Sequence, residues 1–200
     1  MEITSAAPIM STPRVFALHD RHSQKGASML EVLVAIVVVA IGLLGLAGLQ
    51  VKMQSADMEA YQRTQAVMLL QDMADRISAN RANLAGYASQ TLGNGGTAPT
   101  CDGSSSRADQ DLCEWHDALL GASETLSSGT VKTGAMIGAR GCTSSITTDA
   151  TGYRQITLSV AWQGQSASAT PSAACGENAY TPSEAYRRVV STFVTVGKLN

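Results

Sequence analysis

Few residues of this 200-residue chain have the chemistry for catalysis or metal binding. It holds three histidines; His19 and His22 lie in a polar N-terminal stretch, and we expect His116 to be a surface residue. Histidine-based zinc sites and Ser-His-Asp triads are therefore disfavoured. The four cysteines include no C-x-x-C pair, which argues against zinc and thioredoxin-type redox chemistry. We expect no catalytic residue, no metal and no cofactor.

Acidic residues cluster late in the chain, at Asp109, Asp111, Glu114 and Asp117. Carboxylates are calcium ligands, but the spacing lacks the glycine turn and terminal glutamate of an EF-hand loop. The sequence therefore predicts a solvated acidic face on a short helix, capped by Asp109 or Asp111 and closed by Gly121. Its apolar side would consist of Leu112, Trp115 and Leu119.

A glycine and a glutamate frame the start of the most apolar segment. Gly26 is followed five residues later by Glu31, and Val32–Leu49 is a run of 18 residues without a charge. A membrane span needs roughly 17–25 such residues, whereas a buried core helix usually keeps a polar stripe. We predict a transmembrane segment over about 30–49. A carboxylate costs about 2.5–3.5 kcal/mol at mid-membrane and less near the interface, and a plain signal peptide has no use for one.

Charges before this segment predict its orientation. The first 26 residues hold three basic and two acidic residues, namely Arg14, Arg21, Lys25, Glu2 and Asp20. Basic flanks stay in the cytoplasm, so the part after Leu49 is expected outside. Cysteines in that exterior part agree with an oxidising compartment. The net charge of −2 offers no basic surface, so we predict no direct nucleic-acid binding.

Nine residues here read Lys25-Gly26-Ala27-Ser28-Met29-Leu30-Glu31-Val32-Leu33. They resemble the type IV prepilin cleavage motif, in which a basic leader ends in glycine and a glutamate stands at the fifth mature position. The resemblance implies a cytoplasmic leader at 1–26, cleavage by prepilin peptidase between Gly26 and Ala27, and N-methylation of Ala27, which stands where Phe or Met is usual. Glu31 would then set the register of assembly by pairing with the N-terminal amine of a neighbouring subunit.

A narrower resemblance lies in the apolar runs 32–36 and 40–50 and in Asp111-Leu112-Cys113-Glu114-Trp115. These segments resemble the PilV-type minor pilins. The resemblance implies a bacterial inner-membrane protein with a periplasmic C-terminal domain that joins other minor pilins and the major pilin through its N-terminal helix. A type IV pilus supporting motility or adhesion would result.

Two alternatives remain open at this point. The pseudopilins of type II secretion systems share the N-terminal motif. An ordinary signal peptide, cut around Ala47 and Gly48, would instead release or anchor a binding domain such as an adhesin.

Three glycines, Gly42, Gly45 and Gly48, recur every third residue of the apolar run. Small residues let membrane helices approach closely. Each also costs roughly 1 kcal/mol of helix stability relative to alanine. We predict that these glycines serve helix packing or local softness.

The surrounding pattern predicts an α+β, type IV pilin-like architecture. A long helix over 27–80 continues beyond the membrane as an amphipathic stripe, and a globular head follows at 81–200. Residues 86–107 and 164–182 are expected to be loops. Antiparallel strands are expected at 136–142, 153–162 and 188–196, with a further edge at 127–132.

Four cysteines in the head permit three pairings. We favour the two local bridges, Cys101–Cys113 and Cys142–Cys175. A loop of that size is stabilised by about 3 kcal/mol in the chain-entropy model.

Overall fold

The computed structural model describes residues 26, 28–97, 99–102, 105–121 and 136–197. The chain divides into two compact units between Ala47 and Gly48. The first unit contains the apolar part of a long helix, α1 (Met29–Ala79), whose bounds agree with the predicted 27–80. The second unit contains the rest of α1 and an antiparallel sheet, so the α+β prediction is confirmed.

The remaining elements follow in chain order. A 3-10 segment at Arg81–Tyr87 leads to β1 (Thr91–Gly93) and α2 (Arg107–Leu119). Four more strands complete the sheet: β2 (Arg140–Thr143), β3 (Thr147–Thr148), β4 (Arg154–Gln163) and β5 (Arg187–Val196). β4 is central, with β2 and β3 along one side and β5 along the other, and β1 extends the sheet beyond β2.

The core lies between α1, α2 and one face of the sheet. Ile156, Leu158, Val160 and Trp162 alternate along β4 and are all buried, as their period of two predicts. α1 contributes a buried stripe at three- and four-residue steps, consisting of Ala66, Leu70, Met73 and Ile77. The α1 stripe and the inner face of the sheet remove each other's apolar surface from water, and this burial drives their packing.

Three sequence predictions need correction. The strand expected at 136–142 begins only at Arg140, because Gly138 takes a positive φ of 63° and turns the chain. The loop expected at 86–107 contains β1, which is too short to show a hydrophobic period. The cap of α2 is Ser106, whose Oγ accepts from the Asp109 backbone N–H, rather than an aspartate. The edge strand expected at 127–132 lies outside the described residues.

The long connection 164–182 lacks regular structure, as predicted, but buried Arg187 holds it in place. Its guanidinium donates to the carbonyls of Pro171 (3.2 Å) and Cys175 (3.1 Å) and pairs with Glu184. The Cys142–Cys175 disulfide ties the same connection to β2. A covalent link and a multiply bonded arginine thus replace the apolar residues that this loop lacks.

Candidate functional site

The first candidate site is the N-terminal end of α1. The Ser28 Oγ accepts a hydrogen bond from the Glu31 backbone N–H at 3.2 Å, so Ser28 caps the helix. Ser28 to Glu31 form the S-x-x-E pattern of a capping box, a signal that the sequence prediction did not use. Gly26 is exposed, and a Cβ there would meet nothing within 4 Å. Ala27 lies outside the described residues.

The apolar part of α1 is exposed along its whole length. Every residue from Met29 to Leu49 is exposed, including Leu44 at 74%. The helix is long and apolar enough to cross a membrane, and its most apolar window has no buried residue. Such a surface in water would be an aggregation site, so it needs lipid or neighbouring helices around it.

The three glycines of this segment lie on a continuous helix. A Cβ added at Gly42, Gly45 or Gly48 would meet no atom within 4 Å. The space beside them is therefore open to a neighbouring helix, as close packing of small residues requires. Their assigned roles in packing or softness stay predictions.

A buried carboxylate joins three elements of the second unit: α1, the 3-10 segment and α2. Asp111 is 1% exposed, and its Oδ2 accepts from the Tyr87 hydroxyl at 2.6 Å. Arg107 Nε lies 3.1 Å and Arg76 Nη1 3.4 Å from its Oδ1. The expected solvated acidic face is therefore wrong for Asp111, because this residue turns inward toward α1 and the 3-10 segment. Arg76 also pairs with Glu114 on the outer side.

This cluster alters the protonation of its members. Burial opposes the charge on Arg76, but the hydrogen bonds that it donates to Glu114 and Asp72 outweigh this effect and raise the pKa of Arg76. Burial and the bond to Asp111 raise the pKa of Tyr87 to about 12. Tyr87 is therefore neutral at neutral pH and donates its hydroxyl proton to Asp111. These groups bond to one another and dock α2, which is a structural role.

The segment Asp111–Trp115, which we call the D-L-x-x-W element, and the adjacent His116 complete this docking. Trp115 is fully buried, and its Nε1 donates to the Leu69 carbonyl of α1 at 3.0 Å. A Cβ at Gly141 would lie 2.5 Å from the Trp115 ring, so β2 needs glycine there. His116 is half-buried and its Nδ1 accepts from the Gly93 N–H at 3.0 Å, which corrects its expected surface position. The D-L-x-x-W element therefore has a structural role, as part of the hydrophobic core.

Two disulfides fix the head, in the pairing that the sequence analysis favoured. Cys101 joins Cys113, which ties the segment before α2 to the helix, across 12 residues. Cys142 joins Cys175 across 33 residues. Within the described part of the chain, no three His, Cys, Asp or Glu side chains are grouped to hold a metal ion.

The free energy of unfolding should fall at alkaline pH, because two buried tyrosines lose their protons more readily in the unfolded chain than in the folded one. Burial raises the pKa of Tyr87 and of Tyr180 from 10.0 to about 12. The unfolded chain releases these protons first, so their contribution is complete below pH 10 and is lost as the pH rises toward about 12. At pH 11, we expect each tyrosine to lower the free energy of unfolding by about 1.4 kcal/mol relative to its value below pH 10.

This loss is measured by urea unfolding of the detergent-solubilised chain at pH 9 and pH 11. The Tyr87→Phe and Tyr180→Phe variants should each show a smaller difference between the two pH values. An unfolding free energy of the unchanged chain that is equal at both pH values would contradict the prediction.

Comparison with known protein families bears on the function of α1. Residues 21–47 match the model described as the prokaryotic N-terminal methylation motif, and residues 48–114 match the model of type IV pilin Tt1218. The chain is similar to a type IV pilin. The first match contains Gly26, Ala27 and Glu31, and the second contains the amphipathic half of α1 and most of the D-L-x-x-W element. No curated protein and no solved structure matches the chain.

The two matches together cover residues 21–114, so the similarity to type IV pilins extends over α1 and into α2.

Proposed function

We propose that this protein is a PilV-type minor pilin. Residues 1–26 are the cytoplasmic leader, 27–80 the assembly helix with its membrane-spanning part at about 30–49, and 81–200 the periplasmic head. Prepilin peptidase cuts between Gly26 and Ala27 and methylates Ala27. The mature subunit leaves the inner membrane to initiate or join a type IV pilus that supports motility and adhesion. The filament performs these functions; the chain itself has no enzymatic role.

One observation carries the proposal: the match to the methylation motif includes the start of α1, and every residue of α1 from Met29 to Leu49 is exposed. Cleavage at the methylation motif lies before the apolar segment, so this segment would stay attached to the mature protein. Cleavage of an ordinary signal peptide would instead remove the apolar segment. In a filament, neighbouring helices replace lipid around α1. The PilV type is proposed from the resemblance of Asp111–Trp115 to that group, and these residues dock α2 in the core.

Intact mass and N-terminal sequencing of the protein from its own host membranes test the proposal. A mature chain that starts at methylated Ala27 is expected. A start near Gly48, or an uncut Met1, would instead indicate an exported or anchored binding domain with an ordinary signal sequence. The protein should also be found in sheared pili; secretion loss without pilus loss in a deletion strain would indicate a type II secretion pseudopilin.

Glu31→Ala should leave cleavage intact and reduce incorporation into pili by at least about tenfold. A buried carboxylate needs a positive partner, and the methylated N-terminal amine of Ala27 in the neighbouring subunit supplies one. The measurement is the ratio of processed protein in sheared pili to that in membranes.

Ser28→Ala is the matched control, because it removes the helix cap but keeps the carboxylate. Cap loss costs about 0.5–2 kcal/mol of helix stability, so incorporation should largely persist. Normal incorporation of Glu31→Ala would rule out the register role.

A further inference from the structure

One side of β5 is open. β5 pairs with β4 over its entire length, from Arg187 opposite Gln163 to Val196 opposite Arg154. Among the described residues, no strand lies along its other side. An open edge presents unpaired backbone donors and acceptors that a further strand can use.

The register shows which backbone groups face outward. The Ser144 N–H donates to the Thr157 carbonyl. The backbone N–H and C=O groups of the odd-numbered residues of β4 therefore point toward β2, and those of the even-numbered residues point toward β5. Their partners Val190, Thr192 and Val194 use their backbone groups toward β4. The alternate residues Ser191, Phe193 and Thr195 therefore direct theirs to the open side. We call these three residues the β5 edge; all are exposed.

The β5 edge lacks the features that usually prevent strand pairing. Val189–Val196 contains no charge and no proline, and most of its residues are β-branched. Natural edge strands are commonly protected by charged residues, proline or bulges. Phe193, one of only two phenylalanines, is 65% exposed here. Such a strand indicates a surface that pairs with another polypeptide.

A groove runs beside the same strand. It has a volume of about 460 Å³ and lies between α1 and Val190–Thr192 of β5. Val67, Leu70 and Ala74 form its apolar wall. A strand added to the β5 edge would direct alternate side chains toward this wall, and such a combination of edge and pocket gives peptide recognition both affinity and specificity. We call it the α1–β5 groove.

The charges at the ends of the groove indicate the kind of segment that fits. Arg63 and Asp75 line opposite ends, about 18 Å apart along the helix axis. An extended segment of five residues spans about 17 Å. Neither side chain forms an ion pair with another described residue. A second copy of Ser191–Thr195 has no acid to face Arg63 and no base to face Asp75.

We propose that the α1–β5 groove binds an extended segment of a different pilin subunit as an added strand of the sheet. The segment has an uncharged centre, an acidic residue near Arg63 and a basic residue near Asp75. This inference rests on the proposed pilin function and adds a head-to-head contact to the assembly through α1.

Photo-crosslinking in the native host tests this contact. The full chain carries p-benzoylphenylalanine at position 193 or, as matched control, at position 157. Thr157 lies directly opposite Phe193 on the same exposed face but in the central strand. We expect an adduct with another pilin from position 193, identified by mass spectrometry, and at least about tenfold less from position 157. An adduct only with a second copy or with this chain itself, or equal yields at both positions, would overturn the proposal.

Charge variants provide the second measurement. Phe193→Lys should reduce co-purification with the crosslinked pilin about tenfold, while Thr157→Lys retains it. Both substitutions lie on the exposed face, and unchanged disulfides and protease resistance establish folding. In one outcome, the chain starts at Ala27 and enters pili while its Phe193→Lys variant co-purifies with the crosslinked pilin as well as the unchanged chain does. This result overturns the binding role of the groove and leaves the pilin function standing. A chain that retains its leader and is absent from pili overturns both.

Discussion

Gly26→Leu is expected to leave the precursor uncut and to abolish incorporation into pili. The protease must bring its catalytic groups close to the Gly26–Ala27 peptide bond, and glycine offers the least steric hindrance there. Gly26 is exposed just before the capped start of α1, and leucine would add a bulky side chain on the residue whose peptide bond is proposed to be cut. The mature form should fall below about one hundredth of the total, since a 1 Å misplacement of a reacting bond can cost about 10²-fold.

The measurement is the intact mass of the membrane-bound protein, which should include residues 1–26, the proposed leader. Gln24→Leu is the matched control, because it adds the same side chain two residues earlier without touching the bond that is cut. The control should be processed normally. A Gly26→Leu variant that still yields chains starting at Ala27 would contradict the cleavage assignment.

Trp115→Ala should destabilise the head by about 3–5 kcal/mol. The indole is fully buried between α1, α2 and β2, and its Nε1 donates to the Leu69 carbonyl at 3.0 Å. Truncation leaves a cavity above Gly141 and removes the additional hydrogen bond that the Leu69 carbonyl accepts from the indole. This loss is a large share of the 5–15 kcal/mol typical of a domain. Urea unfolding of the detergent-solubilised chain measures it, with the remaining tryptophan, Trp162, as the fluorescent probe.

Trp115→Phe separates the hydrogen bond from the packing. It keeps most of the ring but removes the donor, and should cost less than the alanine variant, about 1–3 kcal/mol. Equal losses in both variants would show that the bond to Leu69, rather than the volume of the indole, holds α2. A loss below about 1 kcal/mol for Trp115→Ala would contradict the central position of this residue.

The sequence predicted the long elements well because their signals repeat. α1 begins and ends within two residues of the predicted bounds, and β4 begins one residue later and ends one residue later than expected. A continuous apolar run and a strict alternation remain visible without any tertiary contact. β1 has three residues and no period, so it was assigned to a loop.

The cap of α2 shows a different limit. Asp109, Asp111 and Ser106 are all good capping residues, and the sequence offered no reason to prefer the serine. The structure selects Ser106 because Asp111 is drawn into the core by Tyr87, Arg76 and Arg107. Contacts with these three side chains, which the local sequence does not reveal, therefore exclude Asp111 as the helix cap although its capping propensity equals that of Ser106.

The sequence by itself determined the likeness to prepilins, the exposed apolar helix and the strand pattern, because each is a local property of consecutive residues. It also limited the cysteines to three pairings. Only the tertiary structure decided that Asp111 is a buried anchor, that His116 holds β1, and that β5 has an open edge beside a groove. These features depend on residues far apart in the chain, such as His116 with Gly93, 23 positions apart, and Asp111 with Arg76, 35 positions apart. Such contacts form only when the elements pack together.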